Sequence, residues 1–196
     1  MNHFFTYLKK TLFQGALKFL ACVILLLFFS ASLLAGNYTW NGTTNNNWGT
    51  ASNWSGGVIP GTNDTITINS GKPNLELDQD RTVIQIIHNG STIDLDTNEL
   101  HITQRATFNG GDVIGESLKL RGALVFFQGT DFNCTLDVIV GQIKFSGGTF
   151  DQKGTFEQNG GASGWGEGGC VFNDSVTIKC SGATYLRMGQ NTGDIF

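Results

Sequence analysis

Proline is nearly absent from this chain, with 2 residues in 196, and charged side chains make up only 14% of it. The 12 Lys+Arg are scattered singly and are outnumbered by 16 Asp+Glu, so no basic patch exists to grip a nucleic acid backbone. The 4 cysteines form no C-x-x-C pair, which removes the usual zinc and thiol-redox spacings. Also missing are a G-x-S-x-G elbow, an H-E-x-x-H pair and a glycine loop leading into a helix, the short signatures of serine hydrolases, zinc proteases and phosphate binders. G-G-x-G-x-D is absent too, which excludes the nine-residue calcium-binding β-roll. No apolar stripe of helical period runs through the sequence, and the segments between turn signals are too short for crossover helices, so a doubly wound α/β fold is excluded.

What the chain has instead is glycine at regular intervals. Gly71, Gly90, Gly110, Gly129, Gly148, Gly168 and Gly189 recur every 19 to 21 residues. Three positions before them stand Ile68, Ile87, Thr107, Phe126, Phe145, Trp165 and Leu186, and after them run Leu75, Ile93, Val113, Phe132, Phe150 and Val171. Another series, Gly122, Gly141, Gly160 and Gly182, keeps nearly the same period half a repeat away. Apolar residues alternate with polar ones, as in Thr92-Ile93-Asp94-Leu95-Asp96 and Glu99-Leu100-His101-Ile102-Thr103, the period-two pattern of strands. Such strands cannot bury one face alone, so the repeat predicts an all-β parallel β-helix (β-solenoid) with coils of about 20 residues, each stacked on the last. Both apolar columns are expected to face inward, with glycines at corners where the backbone turns left-handed.

The first 36 residues are different. Lys9, Lys10 and Lys18 precede an apolar run from Phe19 to Phe29 and then small residues around Ser32 and Ala35. This is the layout of a secretory signal peptide over residues 1–36, cleaved after Ala35 or, as second choice, Ser32. Its most apolar stretch is short for a bilayer span, which needs about 20 residues. Cys22 lies too early to be a lipidated cysteine behind the run. A secreted or cell-surface chain with no membrane span after cleavage is therefore expected.

Residues 37–64 carry three of the 4 tryptophans. Trp40, Gly42, Trp48, Asn53, Trp54, Gly57, Pro60 and Asp64 form the pattern W-x-G, a spaced W, then N-W-x-x-G-x-x-P-x-x-x-D. The segment resembles the opening of secreted bacterial surface proteins with autotransporter-passenger or adhesin-like β-helices. The resemblance implies an extracellular repetitive scaffold, usually far longer. Here the β-helix over residues 65–196 stops inside its seventh coil at Asp194-Ile195-Phe196, so it reads as truncated at its C-terminal end, and a fragment of a larger adhesin is one alternative. The tryptophans have two readings. They cap the open end of the solenoid, which otherwise exposes unpaired backbone and core, or Trp40, Trp48 and Trp54 form a glycan-binding platform that stacks on sugar faces.

Candidates for chemistry are few. Cys170 and Cys180 are the pair best placed for a disulfide in an exported chain, while Cys134 and Cys180 share phase with apolar neighbours and should face inward. Asp78 with Asp80, and Asp94 with Asp96, are carboxylate pairs at spacing two, which a strand projects from one face. With Arg81 or Arg105 in line they would suit a polysaccharide lyase or hydrolase, the enzymatic alternative. His88 and His101 stand in no triad-like or metal-like setting. The expected function is a non-catalytic, adhesin-like scaffold binding a glycan or partner surface, without cofactor, metal or nucleic acid.

Overall fold

The computed structural model describes residues 35–182 and 184–196. It is all-β: a parallel β-solenoid of about six turns with coils of about 19 residues. The leader expected over residues 1–36 lies, apart from its last two residues, outside the described part, and no helix among the described residues is long and apolar enough to cross a membrane.

Among the described residues thirteen strands form one continuous parallel sheet wound on itself. They are β1 Asn37–Thr39, β2 Thr65–Asn69, β3 Leu75–Glu76, β4 Arg81–Asn89, β5 Thr92–Asp94, β6 Glu99–Asn109 and β7 Asp112–Gln128, then β8 Asp131–Phe145, β9 Gly148–Phe150, β10 Gly154–Gln158, β11 Trp165–Gly166, β12 Cys170–Phe172 and β13 Val176–Cys180. The long strands β7 and β8 run through all three faces of a coil, so each turn contributes three strand segments. The first face stacks residues 65–69, 85–89, 105–109, 124–128 and 142–145, with β11 beyond them. A second stacks β3, β5, the starts of β7 and β8, β9 and β12. The third carries residues 81–83, 100–102, 118–120, 136–140, β10 and β13.

All seven glycines of the first series adopt positive φ, from +59 to +121°, so the period read from the sequence is the period of left-handed corners. The half-repeat series works differently. Gly122 has φ +121°, whereas Gly141, Gly160 and Gly182 are not left-handed. A Cβ on Gly141 would lie 2.9 Å from the Ala123 carbonyl oxygen, so here glycine serves close approach between coils.

The column after the glycines faces inward as expected through Leu75, Ile93, Val113, Phe132 and Phe150, and it continues with Phe172 in place of the half-buried Val171. Phe132, Phe150 and Phe172 stack with interplanar angles of 6° and 10° at 5.3 and 4.8 Å, and Phe196 lies on Phe172 at 5.0 Å. The other column requires correction. The inward line on the first face is Ile68, His88, Phe108, Phe127 and Phe145, one residue later than expected through most coils. Ile87, Thr107, Phe126, Lys144 and Trp165 form the outward line in register beside it. The slip arises because Ile68 and Phe145 stand three residues before their corner glycines but His88, Phe108 and Phe127 only two, and one residue moved along a strand swaps inside for outside. At the corner after this face Asn69, Asn89 and Asn109 form an amide ladder, Asn109 donating to Asn89 at 2.9 Å and Asn89 to Asn69 at 3.0 Å.

Candidate functional site

The tryptophan block is built around buried indoles. Trp40 and Trp48 are 0% exposed and Trp54 2%. Trp54 inserts edge-on between the other two, with centroids 5.1 and 4.9 Å away. The Trp54 indole N–H donates to the Trp48 carbonyl and that of Trp40 to the Pro73 carbonyl, both at 2.8 Å. Buried Asn53 ties the loop together, accepting from the backbone N–H of Thr44 and donating to the Asn47 carbonyl. The same segment is also a rung of the solenoid, since β1 pairs with β2 and Asn47 bridges to Glu76. Outward N–H groups of that rung are met by Ser55 Oγ and the Asn53 carbonyl. Asp64 closes the segment by accepting from the N–H groups of Gly36 and Gly61, each at 2.7 Å. The expected glycan platform at Trp40, Trp48 and Trp54 is therefore corrected: a ring with no exposed face offers nothing for a sugar to stack on.

Three of the four paired carboxylates are engaged by local partners. Asp78 binds Arg81 at 2.5 Å, Asp80 accepts from the Glu99 N–H, and Asp94 accepts from the N–H of Asp96, itself at φ +50° in a turn. These side chains terminate strands. Among the described residues no cluster of three His, Cys, Asp or Glu is arranged to hold a metal ion.

The expected Cys170–Cys180 disulfide is not formed. Cys170 is buried on the second face and Cys180 exposed at the end of β13 on the third, and Cys134 is likewise free. Cys180 thus also departs from its expected inward position. Burial pushes the Cys134 thiol up to about 12, and the Cys170 thiol also to about 12, with Asp194 adding to the effect. His88 lies in the inner column, fully buried, its Nε2 against the Ser91 carbonyl and its Nδ1 without a partner. Burial lowers its pKa to about 4, so it is neutral at physiological pH. His101 is lowered by burial and by neighbouring Lys119.

A recess with exposed aromatic side chains lies on the outer wall of the first face, at the last coils. Trp165 is 39% and Tyr185 51% exposed. With Glu167, Arg187, Gln190 and Asn191 they line an open recess of about 410 Å³, within the range of small-ligand pockets. Register explains the grouping. Trp165 pairs with Lys144 one coil earlier, and the Gly164↔Leu186 bridge brings Arg187 to the rung beyond. Lys144 Nζ sits 3.8 Å from the centre of the Trp165 ring, and the Arg187 guanidinium 4.7 Å from that of Tyr185. Beneath the recess, buried Gln158 accepts from the Ile143 N–H at 3.0 Å and donates to the carbonyls of Ala162 and Tyr185. One amide thereby fixes both loops that carry the aromatics. Glu167 accepts from the Ser146 hydroxyl.

Sequence reasoning placed Trp165 in the inward column and did not single out Tyr185, Arg187 or Gln158. A signal was present in Tyr185-Leu186-Arg187-Met188, whose alternation sets Tyr185 and Arg187 on the face opposite half-buried Leu186 and Met188. Comparison with protein-family models, curated proteins and solved structures finds no match.

Proposed function

We propose that this chain is an exported, non-catalytic β-solenoid scaffold, secreted or held at the cell surface, that adheres to glycan through the outer wall of its first face. The observation that carries the reading is the pair of exposed aromatics, Trp165 and Tyr185, in one recess with amide, guanidinium and carboxylate side chains. Aromatic faces take the apolar side of a pyranose, and the surrounding polar groups take its hydroxyls. Two coils carry these residues, joined at the Gly164↔Leu186 bridge, and Gln158 donates to the carbonyls of Ala162 and Tyr185 in the loops that hold them. The leader over residues 1–36 and the tryptophan block's resemblance to adhesin-like surface proteins favour an extracellular setting.

The test is a glycan panel probed with the protein and with Trp165→Ala and Tyr185→Ala. The expected result is retention of at least one glycan class, lost in both variants while their melting curves stay with the parent. Absence of binding across the panel, or full retention by both variants, would overturn the proposal.

A further inference from the structure

We infer that the Trp165/Tyr185 recess recognises an acidic saccharide unit, with Lys144 and Arg187 taking its carboxylate or sulfate; this rests on the glycan reading above. The charge arrangement carries the step. The four ion pairs among the described residues join Arg81 to Asp78, Lys119 to Glu99, Arg121 to Asp137 and Lys179 to Glu157. Neither Lys144 nor Arg187 is among them. Each instead rests against an aromatic ring on the same wall, a contact that leaves its N–H donors available. Trp165 therefore stands between one cationic rung and another, and strands one rung apart are separated by about 4.8 Å. The two cations thus stand on the rungs either side of Trp165. In a chain of formal net charge −4 this is a local reversal of sign at the place where the aromatics are exposed.

The polar remainder fits the same ligand. Glu167 is engaged by Ser146, and Gln190 and Asn191 in the same lining supply neutral amides for hydroxyls. A neutral sugar would leave the two cations with only the Glu167 carboxylate of the recess lining against them. An acidic one forms charge-assisted hydrogen bonds with them, bidentate in the case of Arg187, which are shorter and stronger than those to a hydroxyl.

The test is affinity electrophoresis of the protein through gels containing polygalacturonate, alginate or hyaluronate, each run beside its methyl ester, which keeps the ring and removes the charge. At least one acidic polymer is expected to retard the protein about tenfold more strongly than its ester, as loss of a charge-assisted contact implies. Lys144→Gln and Arg187→Gln should each bring retardation down toward that of the ester. Lys153→Gln, altering an exposed cation on another face, should leave it unchanged. Equal retardation by acid and ester would overturn the acidic specificity and leave the glycan reading standing. Loss of retardation in Lys153→Gln equal to that in Arg187→Gln would reduce the effect to diffuse charge and overturn it as well. No retardation by any polymer, charged or esterified, would sink both readings.

Discussion

His88 should make this solenoid acid-labile in a defined window. Its imidazole occupies a core position in register with Ile68 and Phe108, is fully buried, and has an Nδ1 that meets no donor. Desolvation disfavours the imidazolium, and the pKa falls from 6.5 to about 4. The unfolded chain therefore takes up the proton first as pH drops. Stability contributed by the neutral ring is complete above pH 6.5 and declines as pH falls toward about 4. A shift of this size corresponds to about 3 kcal/mol. His88→Leu replaces the ring with an apolar side chain of similar size and leaves the Ser91 carbonyl paired with the Asp112 N–H. Urea unfolding at pH 7 and at pH 4 measures the difference. The parent should lose about 3 kcal/mol more than His88→Leu between the two conditions. His101→Gln serves as a control, because His101 is also lowered and must be separated from His88. Equal losses in the parent and in His88→Leu would refute the reasoning.

Other expectations concern the ends, the corners and the thiols. Trp54→Ala opens a cavity between Trp40 and Trp48 and should cost about 3–5 kcal/mol, with hydrogen exchange accelerating first in β1 and β2; an unchanged melting curve would deny the block its structural role. Gly122→Ala sets a Cβ 2.5 Å from Gln104 Cα at φ +121°, so strain and overlap should together cost about 3 kcal/mol; a neutral effect in thermal melts would show that the corner can shift. In the folded protein, among the described cysteines, a thiol reagent should label exposed Cys180 promptly and Cys134 and Cys170 only on unfolding, since burial keeps both as thiols up to about pH 12. Prompt labelling of all three would mean that the coils open.

The repeat was legible because each of its corners needs a backbone that only glycine adopts freely, and Gly71 through Gly189 mark those corners in order. The line from Leu75 to Phe150 was legible because each member is the first Leu, Ile, Val or Phe after a corner, although its distance from the glycine drifts from four residues at Leu75 to two at Phe150. Before the corner, the distance to the glycine varies: Ile68 and Phe145 stand three residues ahead of Gly71 and Gly148, whereas His88, Phe108 and Phe127 stand two ahead of Gly90, Gly110 and Gly129. Counting back from the glycine therefore selected Ile87 and Phe126 instead of His88 and Phe127. The tryptophan platform failed on packing, which sequence spacing does not encode. Nor could spacing pair Trp165 with Tyr185. Their association depends on the cross-coil register at Gly164↔Leu186 and on Gln158 bridging the two loops.

Glycan is proposed to meet the protein through Trp165 and not through the buried tryptophans. Indole resonances test this most directly, because the 4 tryptophans give one N–H each. With ¹⁵N-labelled tryptophan in the protein, oligosaccharides cut from the polymer that best retards it are titrated in. The Trp165 indole resonance is expected to shift while those of Trp40, Trp48 and Trp54 stay in place. Shifts confined to the buried three, with Trp165 unmoved, would contradict it.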